Sequence, residues 1–175
     1  MSAEKLTASD IRRLLELLDG ELGAAGAEGE LYLVGGAVMC LAFDARPATR
    51  DVDAYFKPTA VIRQAAARVA AKAGAPEHWL NDAVKAYLGS RPEFEPFLEL
   101  PHLKVFTARP DYLLAMKCAA MRLGEEFHDL EDVRYLLRWL NVQSPEEALD
   151  IVTRYFDESQ LLPKTRIVLE ELLPR

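Results

Sequence analysis

The residues best suited to chemistry lie in one segment, Leu31 to Phe56, which reads LYLVGGAVMCLAFDARPATRDVDAYF. In its second half, a strand would place Asp51 and Asp53 on one face and Val52 on the other. Two carboxylates this close repel each other and lose solvation, and a divalent cation is the usual partner that offsets both effects. The spacing therefore predicts a Mg²⁺ or Mn²⁺ site at Asp51 and Asp53.

The first half of the same segment carries a glycine pair. Gly35 and Gly36 follow an apolar strand predicted at residues 31–34 and precede a short helix predicted at residues 37–43. Backbone N–H groups at such a turn can face an anion without obstruction by side chains. Each motif alone is typical of a plain turn or a solvated strand edge. Their combination in one short segment favours a nucleotide-phosphate site beside a metal ion.

This segment resembles the nucleotidyltransferase superfamily related to DNA polymerase beta. The signature of that superfamily is an apolar strand, G-[GS], a spacer, and D-x-[DE] on the next strand. Here 14 residues separate Gly36 from Asp51, and the slight excess in length is placed in the loop around residues 44–47. The resemblance implies a divalent cation, Mg²⁺ or Mn²⁺, held by Asp51 and Asp53, with an NTP as substrate. The residues that it places near the phosphates are Gly35, Gly36, Thr49 and Arg50.

A second motif in the C-terminal half narrows the resemblance. Residues 110–133 contain PDYLLAMK, AAMR and HDLEDV, similar to the L-L-A-x-K-x-x-A…R…D-x-x-D-[IL] pattern of small bacterial nucleotidyltransferases of the AbiEii toxin type. The two motifs bracket residues 31–140, most of the chain. The resemblance implies a cytoplasmic bacterial enzyme that acts as the toxin of a toxin–antitoxin system. Its partners would be a cognate antitoxin and an acceptor hydroxyl on RNA, such as the 3′ end of tRNA, or on a protein.

Lys117 stands out on physical grounds. Within residues 112–123 the only charged side chains are Lys117 and Arg122, and apolar residues surround Lys117 at helical spacing. Its ammonium either extends into water beyond an apolar stem or faces the cleft and neutralises triphosphate charge. Asp129 and Asp132, three residues apart on one predicted helix face, either orient Lys117 or the nucleotide, or are plain surface acids.

One departure from the superfamily concerns the general base. Many members carry a third carboxylate on a later strand, but the strand predicted at residues 103–106 offers Lys104 instead of an acid. Glu99 and Asp82 are the candidate substitutes; otherwise one of the two paired aspartates, or solvent, takes the proton. The missing acid supports a rival interpretation, in which a catalytically silent protein of this fold serves as a binding or partner module.

Composition limits the classes of protein to be considered. The chain has 175 residues, 50% of them hydrophobic and 28% charged, with a net charge of −7, which excludes a disordered chain. The longest near-apolar run has 13 residues, whereas a membrane span needs roughly 20. We expect a cytoplasmic protein, because the first residues form no secretory signal. The negative charge argues against a constitutive nucleic-acid coat protein. A local basic groove for RNA would be formed by Arg46, Arg50, Tyr55, Lys57, Lys85 and Arg91.

Strands early in the chain and a helical block late predict an α+β fold. A nucleotidyltransferase-type mixed sheet with flanking helices is expected over residues 1–108 and a helical lobe over residues 109–175. Cys40 and Cys118 are predicted to be buried, and the three histidines lack metal-ligand spacing. Thr7 and Thr59 are predicted helix caps, as is Ser144. The predicted helices are 7–18, 37–43, 60–73, 110–123, 127–140, 145–156 and 163–173, and the predicted strands are 31–34, 49–56, 97–100 and 103–106.

Overall fold

The computed structural model describes residues 5–121 and 128–173. Within these ranges the chain has the predicted α+β fold, with helices and a mixed sheet. The chain divides into two compact units. The first consists of Met1–Ala86 and Phe94–Ala108, and the second of Tyr87–Glu93 and Arg109–Arg175.

Over its described residues, the first unit contains a five-stranded mixed sheet and three α-helices. Its elements are β1 (Leu6–Thr7), α1 (Ala8–Ala24), β2 (Gly29–Val34), α2 (Gly35–Leu41), β3 (Ala48–Thr49), β4 (Val52–Lys57), α3 (Thr59–Ala73), β5 (Leu80–Asn81), β6 (Phe94–Glu99) and β7 (Leu103–Ala108). The sheet order is β5-β4-β2-β7-β6, and β1 pairs separately with β3. β2 is antiparallel to β4 and parallel to β7, so it lies at the centre of the sheet.

The two faces of this sheet carry different side chains. One face is buried and apolar, with Leu31, Leu33 and Ala54 fully inaccessible to solvent. Gly29 on this face lies against Ile62 of α3, and the helices α1, α2 and α3 all contact the strands. The opposite face is only half-buried. The residues of β2 and β4 that lie on it include polar and aromatic side chains. A binding site on this sheet would therefore form on the half-buried face, because the helices cover the other one.

Helix α1 is longer than its sequence predicts. Thr7 is its N-cap, as predicted, because the Thr7 hydroxyl accepts a hydrogen bond from Asp10 N–H and the Asp10 carboxylate accepts one from Thr7 N–H. The predicted end at Gly20 is wrong, since the helix continues through it. Leu22 lies one turn beyond Leu18 and both are fully buried. Their burial outweighs the cost of about 1 kcal/mol for a glycine inside a helix.

The second predicted strand, residues 49–56, is broken in two. β3 ends at Thr49 and β4 begins at Val52, with Arg50 and Asp51 in a bend between them. β3 pairs with β1, whereas β4 pairs with β2 and β5. The two pieces have different partners, and side-chain alternation along one sequence cannot reveal such a change of partner.

Smaller differences occur at other elements of the first unit. α3 begins at Thr59 with Pro58 as its N-cap, so Thr59 is inside the helix and does not cap it. Residues 79–88, which belong to none of the predicted helices or strands, contain β5 and a 3-10 turn at Ala83–Tyr87. The predicted strand 103–106 is part of the longer β7, whereas the predicted strand 97–100 overlaps β6, which begins earlier, at Phe94, and ends one residue sooner, at Glu99.

The second unit is helical. Ser144 caps α6 as predicted, by accepting a hydrogen bond from Glu147 N–H, but α6 ends before Phe156. The predicted helix 110–123 ends earlier than expected, at Ala119. The predicted start of the next helix, at residue 127, lies outside the described part of the chain. No helix among the described residues is long and apolar enough to cross a membrane. The elements of this unit are α4 (Pro110–Ala119), α5 (Asp129–Trp139), α6 (Pro145–Thr153), a 3-10 turn at Glu158–Gln160 and α7 (Pro163–Leu172).

Candidate active site

The glycine pair lies beside Asp53. Gly35 and Gly36 open α2 directly after β2, and the antiparallel register pairs Val34 with Asp53. Gly35 has φ +66°, a left-handed conformation that glycine adopts without steric cost. A Cβ atom at Gly35 would lie 3.3 Å from Asp53 Oδ2. The turn and one carboxylate therefore occupy the same end of the sheet, in close contact.

Gly36 is in close contact with two other polar side chains. A Cβ atom at Gly36 would lie 2.6 Å from Thr49 Oγ1 and would also collide with the Arg46 guanidinium. Thr49 is buried, and its hydroxyl donates to Asp51 O at 3.3 Å. Because position 36 has no side chain, a hydroxyl and a guanidinium reach the backbone of the turn. Both groups can donate hydrogen bonds to phosphate oxygens.

Asp51 is held by a side chain from another strand. Asp51 lies in the bend before β4, so the strand alternation used in the prediction does not determine where its side chain lies. Asn81 of β5 is in register with Asp53, and Asn81 Nδ2 donates to Asp51 Oδ2 at 2.9 Å. The two aspartates therefore share a neighbour, because Asn81 donates a hydrogen bond to Asp51 and lies opposite Asp53 in the strand register.

Aromatic side chains follow Asp53 on the half-buried face of the sheet. Tyr55 shares that face, in register with Tyr32 of β2, which is itself in register with Phe106 of β7. The Tyr32 and Phe106 rings are stacked with centroids 4.8 Å apart, and the Phe94 ring meets Tyr32 edge-on at 5.1 Å. Two residues along a strand span about 7 Å, so the aromatic cluster begins close to the carboxylate.

Asp82, one candidate for the third carboxylate, follows Asn81 directly. Its carboxylate forms an ion pair with Arg63 of α3 at 2.8 Å. Asp82 therefore lies next to Asn81, which contacts the aspartate pair, but its charge is directed to a cation on the neighbouring helix.

Glu99, the other candidate, lies at the opposite end of the sheet. The strand register runs from Glu99 through Lys104 and Glu30 to Lys57. Lys57 is four residues from Asp53 along β4, which corresponds to about 13 Å. Glu99 is therefore not part of this site, because β6 and β7 carry it away from the glycine turn.

Lys117, Asp129 and Asp132 form a buried ionic cluster in the second unit. Lys117 Nζ lies 3.1 Å from Asp129 Oδ1 and 2.8 Å from Asp132 Oδ2. The Lys117 side chain is only 10% exposed and the two aspartates 4% and 5%. The ammonium therefore does not extend into water, and the aspartates are not surface acids. Both aspartates orient Lys117, one of the alternatives raised by their spacing.

The residues predicted to form an RNA groove are spread over both units. Arg46 lies at the glycine turn, and Arg50 is exposed in the bend before β4. Lys57 lies at the far end of β4 and pairs with Glu30 at 3.4 Å. Arg91, in the second unit, donates to a backbone carbonyl of that unit. Arg46 and Arg50 therefore lie near the glycine-turn end of β4 and Lys57 at its other end, with Tyr55 within β4 and Lys85 in the 3-10 turn at Ala83–Tyr87.

Two residues of the site were not assigned to it from the sequence. Asn81 lies in a stretch that carries no clear periodicity, and its link to Asp51 spans 30 residues, so no local signal could identify it. Arg46 was expected in a groove for RNA and is found at the glycine turn. The only local signal for this is its position ten residues after Gly36, in the loop that returns the chain to β3.

The donor set agrees with the metal that the sequence predicts. Mg²⁺ is commonly bound by one or two carboxylates, several waters and substrate phosphates, and Asp51 and Asp53 supply two carboxylates. No group of three or more His, Cys, Asp or Glu side chains among the described residues could hold a metal ion. A Mg²⁺ or Mn²⁺ ion at this site would therefore take its remaining ligands from water and from the substrate.

Comparisons of the chain with protein-family models, with curated proteins and with solved structures found no match. The assignment of a function therefore depends on the geometry of the site and on the sequence motifs.

Proposed function

We propose that this protein is a nucleotidyltransferase, dependent on Mg²⁺ or Mn²⁺, that moves an NMP from an NTP to an acceptor hydroxyl. The observation that carries the proposal is the contact of the glycine turn with Asp53 on one side and with Thr49 on the other. Asp51, two residues before Asp53, is held in the same local structure. A phosphate group and a divalent cation would be neighbours in such an arrangement.

In the proposed reaction the acceptor oxygen bonds to the α-phosphorus of the NTP. The bond from the α-phosphorus to the bridging oxygen breaks, and pyrophosphate leaves. The proton of the acceptor hydroxyl passes to one of the two aspartates or to solvent. Asp51 and Asp53 would hold the divalent cation, which when bound stabilises negative charge on the entering and leaving oxygens.

The chain's other residues at the turn bind and orient the triphosphate. The absence of side chains at Gly35 and Gly36 lets phosphate oxygens approach the backbone N–H groups. The Arg46 guanidinium donates hydrogen bonds to those oxygens, and an arginine can do so with two parallel bonds. The Thr49 hydroxyl, which donates to Asp51 O, lies beside the same turn. Arg50, exposed in the bend, adds a positive charge for the incoming NTP.

The biological part of the proposal depends on the sequence resemblance. It includes an acceptor on RNA, such as the 3′ end of tRNA, or on a protein. It also includes a role as the toxin of a toxin–antitoxin system, a cognate antitoxin and a cytoplasmic location. The role of Lys117 as a cation that neutralises the triphosphate stays a prediction.

The proposal is tested by transfer of a labelled nucleotide. The protein is incubated with each α-³²P-labelled NTP and Mg²⁺ or Mn²⁺, with total tRNA or total protein as acceptor. We expect label in one acceptor fraction, with release of pyrophosphate, and no label with the Asp51→Asn or Asp53→Asn variant. If the Asp51→Asn and Asp53→Asn variants both transfer label as the wild-type protein does, this site is not the active site.

A second candidate function is a catalytically silent module that binds a nucleotide or a partner protein. The observation that favours it is the engagement of Asp82 with Arg63 and the remote position of Glu99. Neither acid joins the aspartate pair as a general base. The transfer assay and a melting-temperature measurement together distinguish the two functions. A rise in melting temperature with Mg²⁺ and NTP, without transfer to any acceptor, supports the silent module.

A further inference from the structure

We infer that Asn81 is a positioning residue, which holds the Asp51 carboxylate so that Asp51 and Asp53 can bind one divalent cation together. This inference rests on the proposed function, because it concerns the metal site of that function. Asn81 Nδ2 donates to Asp51 Oδ2 at 2.9 Å, and the strand register places Asn81 beside Asp53. One neutral side chain thus adjoins both acidic positions.

The orientation of the Asn81 amide follows from its second hydrogen bond. Ala83 N–H donates to Asn81 Oδ1 at 3.3 Å. A backbone N–H can only donate, so the oxygen of the amide must face Ala83 and the NH₂ group must face Asp51. The amide therefore acts toward Asp51 as a donor and not as an acceptor, which is the polarity that a carboxylate requires.

Asn81 is itself fixed by the core of the first unit. Trp79, two residues before it, is fully buried, and its indole N–H donates to Ala66 O of α3 at 3.1 Å. The Trp79 carbonyl accepts from the N–H of Val52, the first residue of β4 and the residue after Asp51, at 2.6 Å. β5, the strand that carries Asn81, is thereby attached to α3 and to the start of β4, next to the bend that contains Asp51. A side chain fixed in this way can restrain Asp51.

A neutral donor suits this role better than a cation would. A lysine or arginine at position 81 would neutralise Asp51 and compete with a metal ion for it. The amide restrains one carboxylate oxygen without adding a positive charge of its own. Hydrogen-bond partners of metal-binding carboxylates typically account for about 10- to 100-fold in metal affinity.

The test is the Mn²⁺ affinity of the whole protein without nucleotide, measured by isothermal titration calorimetry. We expect Asn81→Ala to weaken Mn²⁺ binding about 10-fold or more. We expect Asn81→Asp to bind Mn²⁺ at least as tightly as the wild type, because a third carboxylate adds attraction for the cation. Both variants lose the hydrogen bond to Asp51, whereas the carboxylate of Asn81→Asp keeps an oxygen that can accept from Ala83 N–H. If the Asn81–Asp51 bond were merely structural, its loss would lower the Mn²⁺ affinity of both variants alike.

Arg63→Met is the matched control. It removes the ion pair with Asp82 and so loosens the segment next to Asn81, but it leaves the Asn81–Asp51 hydrogen bond in place. We expect its Mn²⁺ affinity to stay within about two-fold of wild type, as for an exposed pair of small energetic value. A loss as large as that of Asn81→Ala would overturn the inference.

The outcomes separate the inference from the function on which it rests. A wild-type protein that binds no Mn²⁺ at millimolar concentration excludes the metal site and with it the proposed function. A wild-type protein that binds Mn²⁺, with Asn81→Ala equal to it, overturns only the role of Asn81. Parallel losses in Asn81→Ala and Asn81→Asp also overturn that role, since they indicate a structural effect of the hydrogen bond.

Discussion

Two pairs of aspartates in this molecule have opposite surroundings. Asp129 and Asp132, in the second unit, are almost completely buried and both contact the Lys117 ammonium. Asp51 and Asp53, in the first unit, are half-buried. There a neutral amide donates to Asp51, and a glycine backbone adjoins Asp53. Aspartates thus stabilise the buried interior of one unit and remain partly accessible beside a glycine turn in the other.

The difference shows that carboxylate spacing alone does not define a metal site. Both pairs have short sequence spacing, i and i+2 in one case and i and i+3 in the other. Burial with a cation from the same chain makes a pair part of the folded core, because each charge then depends on the others for its solvation. The pair in the first unit is half-buried and receives a hydrogen bond from a neutral amide, so a cation from solution can approach it.

The largest expected effect is on the chemistry at the first pair. Asp51→Asn or Asp53→Asn should lower nucleotidyl transfer by at least about 10³-fold, the upper end of the effect of a single electrostatic group. The metal-free variants should be as stable as wild type or slightly more so, because repulsion between the carboxylates is removed. Labelled transfer and urea unfolding measure the two effects. A large loss of stability with either variant would break the contrast with the buried pair.

The next largest effect is on the stability of the second unit. Lys117→Met leaves Asp129 and Asp132 buried without the ammonium, which should lower the free energy of unfolding by about 3 kcal/mol. Urea unfolding measures this loss. Arg134→Met, an exposed cation on α5, is the control and should change stability by no more than about 0.5 kcal/mol.

A triple variant sharpens the same contrast. Replacing Lys117 by Met together with Asp129→Asn and Asp132→Asn removes all three charges, so most of the stability lost in the single variant should return. Equal stability of Lys117→Met and wild type would mean that the cluster does not act as a buried ionic unit, and the distinction between the two pairs would fail.

The pH dependence of stability tests how dry the interior around Lys117 is. Burial raises the pKa of the neighbouring Cys118 thiol to about 12, from an ordinary value of 9.0. Between these values the unfolded thiol loses its proton while the folded thiol keeps it, so stability falls as the pH rises. At pH 10.5 the loss due to Cys118 should be about 2 kcal/mol relative to pH 8, at about 1.4 kcal/mol per pH unit.

Comparison with Cys118→Ala isolates this titration from others. Burial also raises the pKa of Tyr112 and of Tyr155, but those groups titrate in both proteins and cancel in the difference. Urea unfolding at pH 8 and pH 10.5 should show the stability advantage of the wild type over Cys118→Ala shrinking by about 2 kcal/mol. A constant difference would indicate that water reaches the thiol in the folded state.

The smallest expected effect comes from a matched pair of glycine substitutions. Gly36→Ala should destabilise the protein by about 1 kcal/mol, because a methyl group must displace Arg46 and Thr49 from the turn. It should also reduce the rise in melting temperature with Mg²⁺ and NTP. Gly20→Ala, in the middle of α1 with no atom within 4 Å of the new Cβ, should stabilise by about 0.5 to 1 kcal/mol. Thermal unfolding with and without Mg²⁺ and NTP measures both effects.

Much of the first unit could be predicted because its signals are local. The apolar run before Gly35 and the cap at Thr7 depend on residues a few positions apart, and both predictions are confirmed. The end of α1 was predicted wrongly because Gly20 is a local stop signal, whereas the burial of Leu22 depends on helix packing. The break between β3 and β4 was missed for the same reason, because it depends on which strands pair with each segment.

The residue types of the candidate site could be predicted from the sequence, but their proximity in the fold could not. Glycines, aspartates and a lysine at suggestive spacings can be found by inspection, and so can the chemistry that each could perform. Glu99 appeared to be a substitute acid because its residue type was suitable, but the register of β6, β7, β2 and β4 carries it to the other end of the sheet. Residue type is a property of one position, whereas proximity across a sheet depends on several strands at once.

The sequence alone determined the α+β class, the glycine turn after an apolar strand and the identity of the acidic pairs, because each depends on composition or on short-range periodicity. Only the tertiary structure decided that Asp129 and Asp132 enclose Lys117 away from water, and that Asn81 reaches Asp51 across 30 residues. Burial and long-range hydrogen bonds depend on the packing of distant segments, and they separate a carboxylate pair that stabilises the core from one that can bind a ligand.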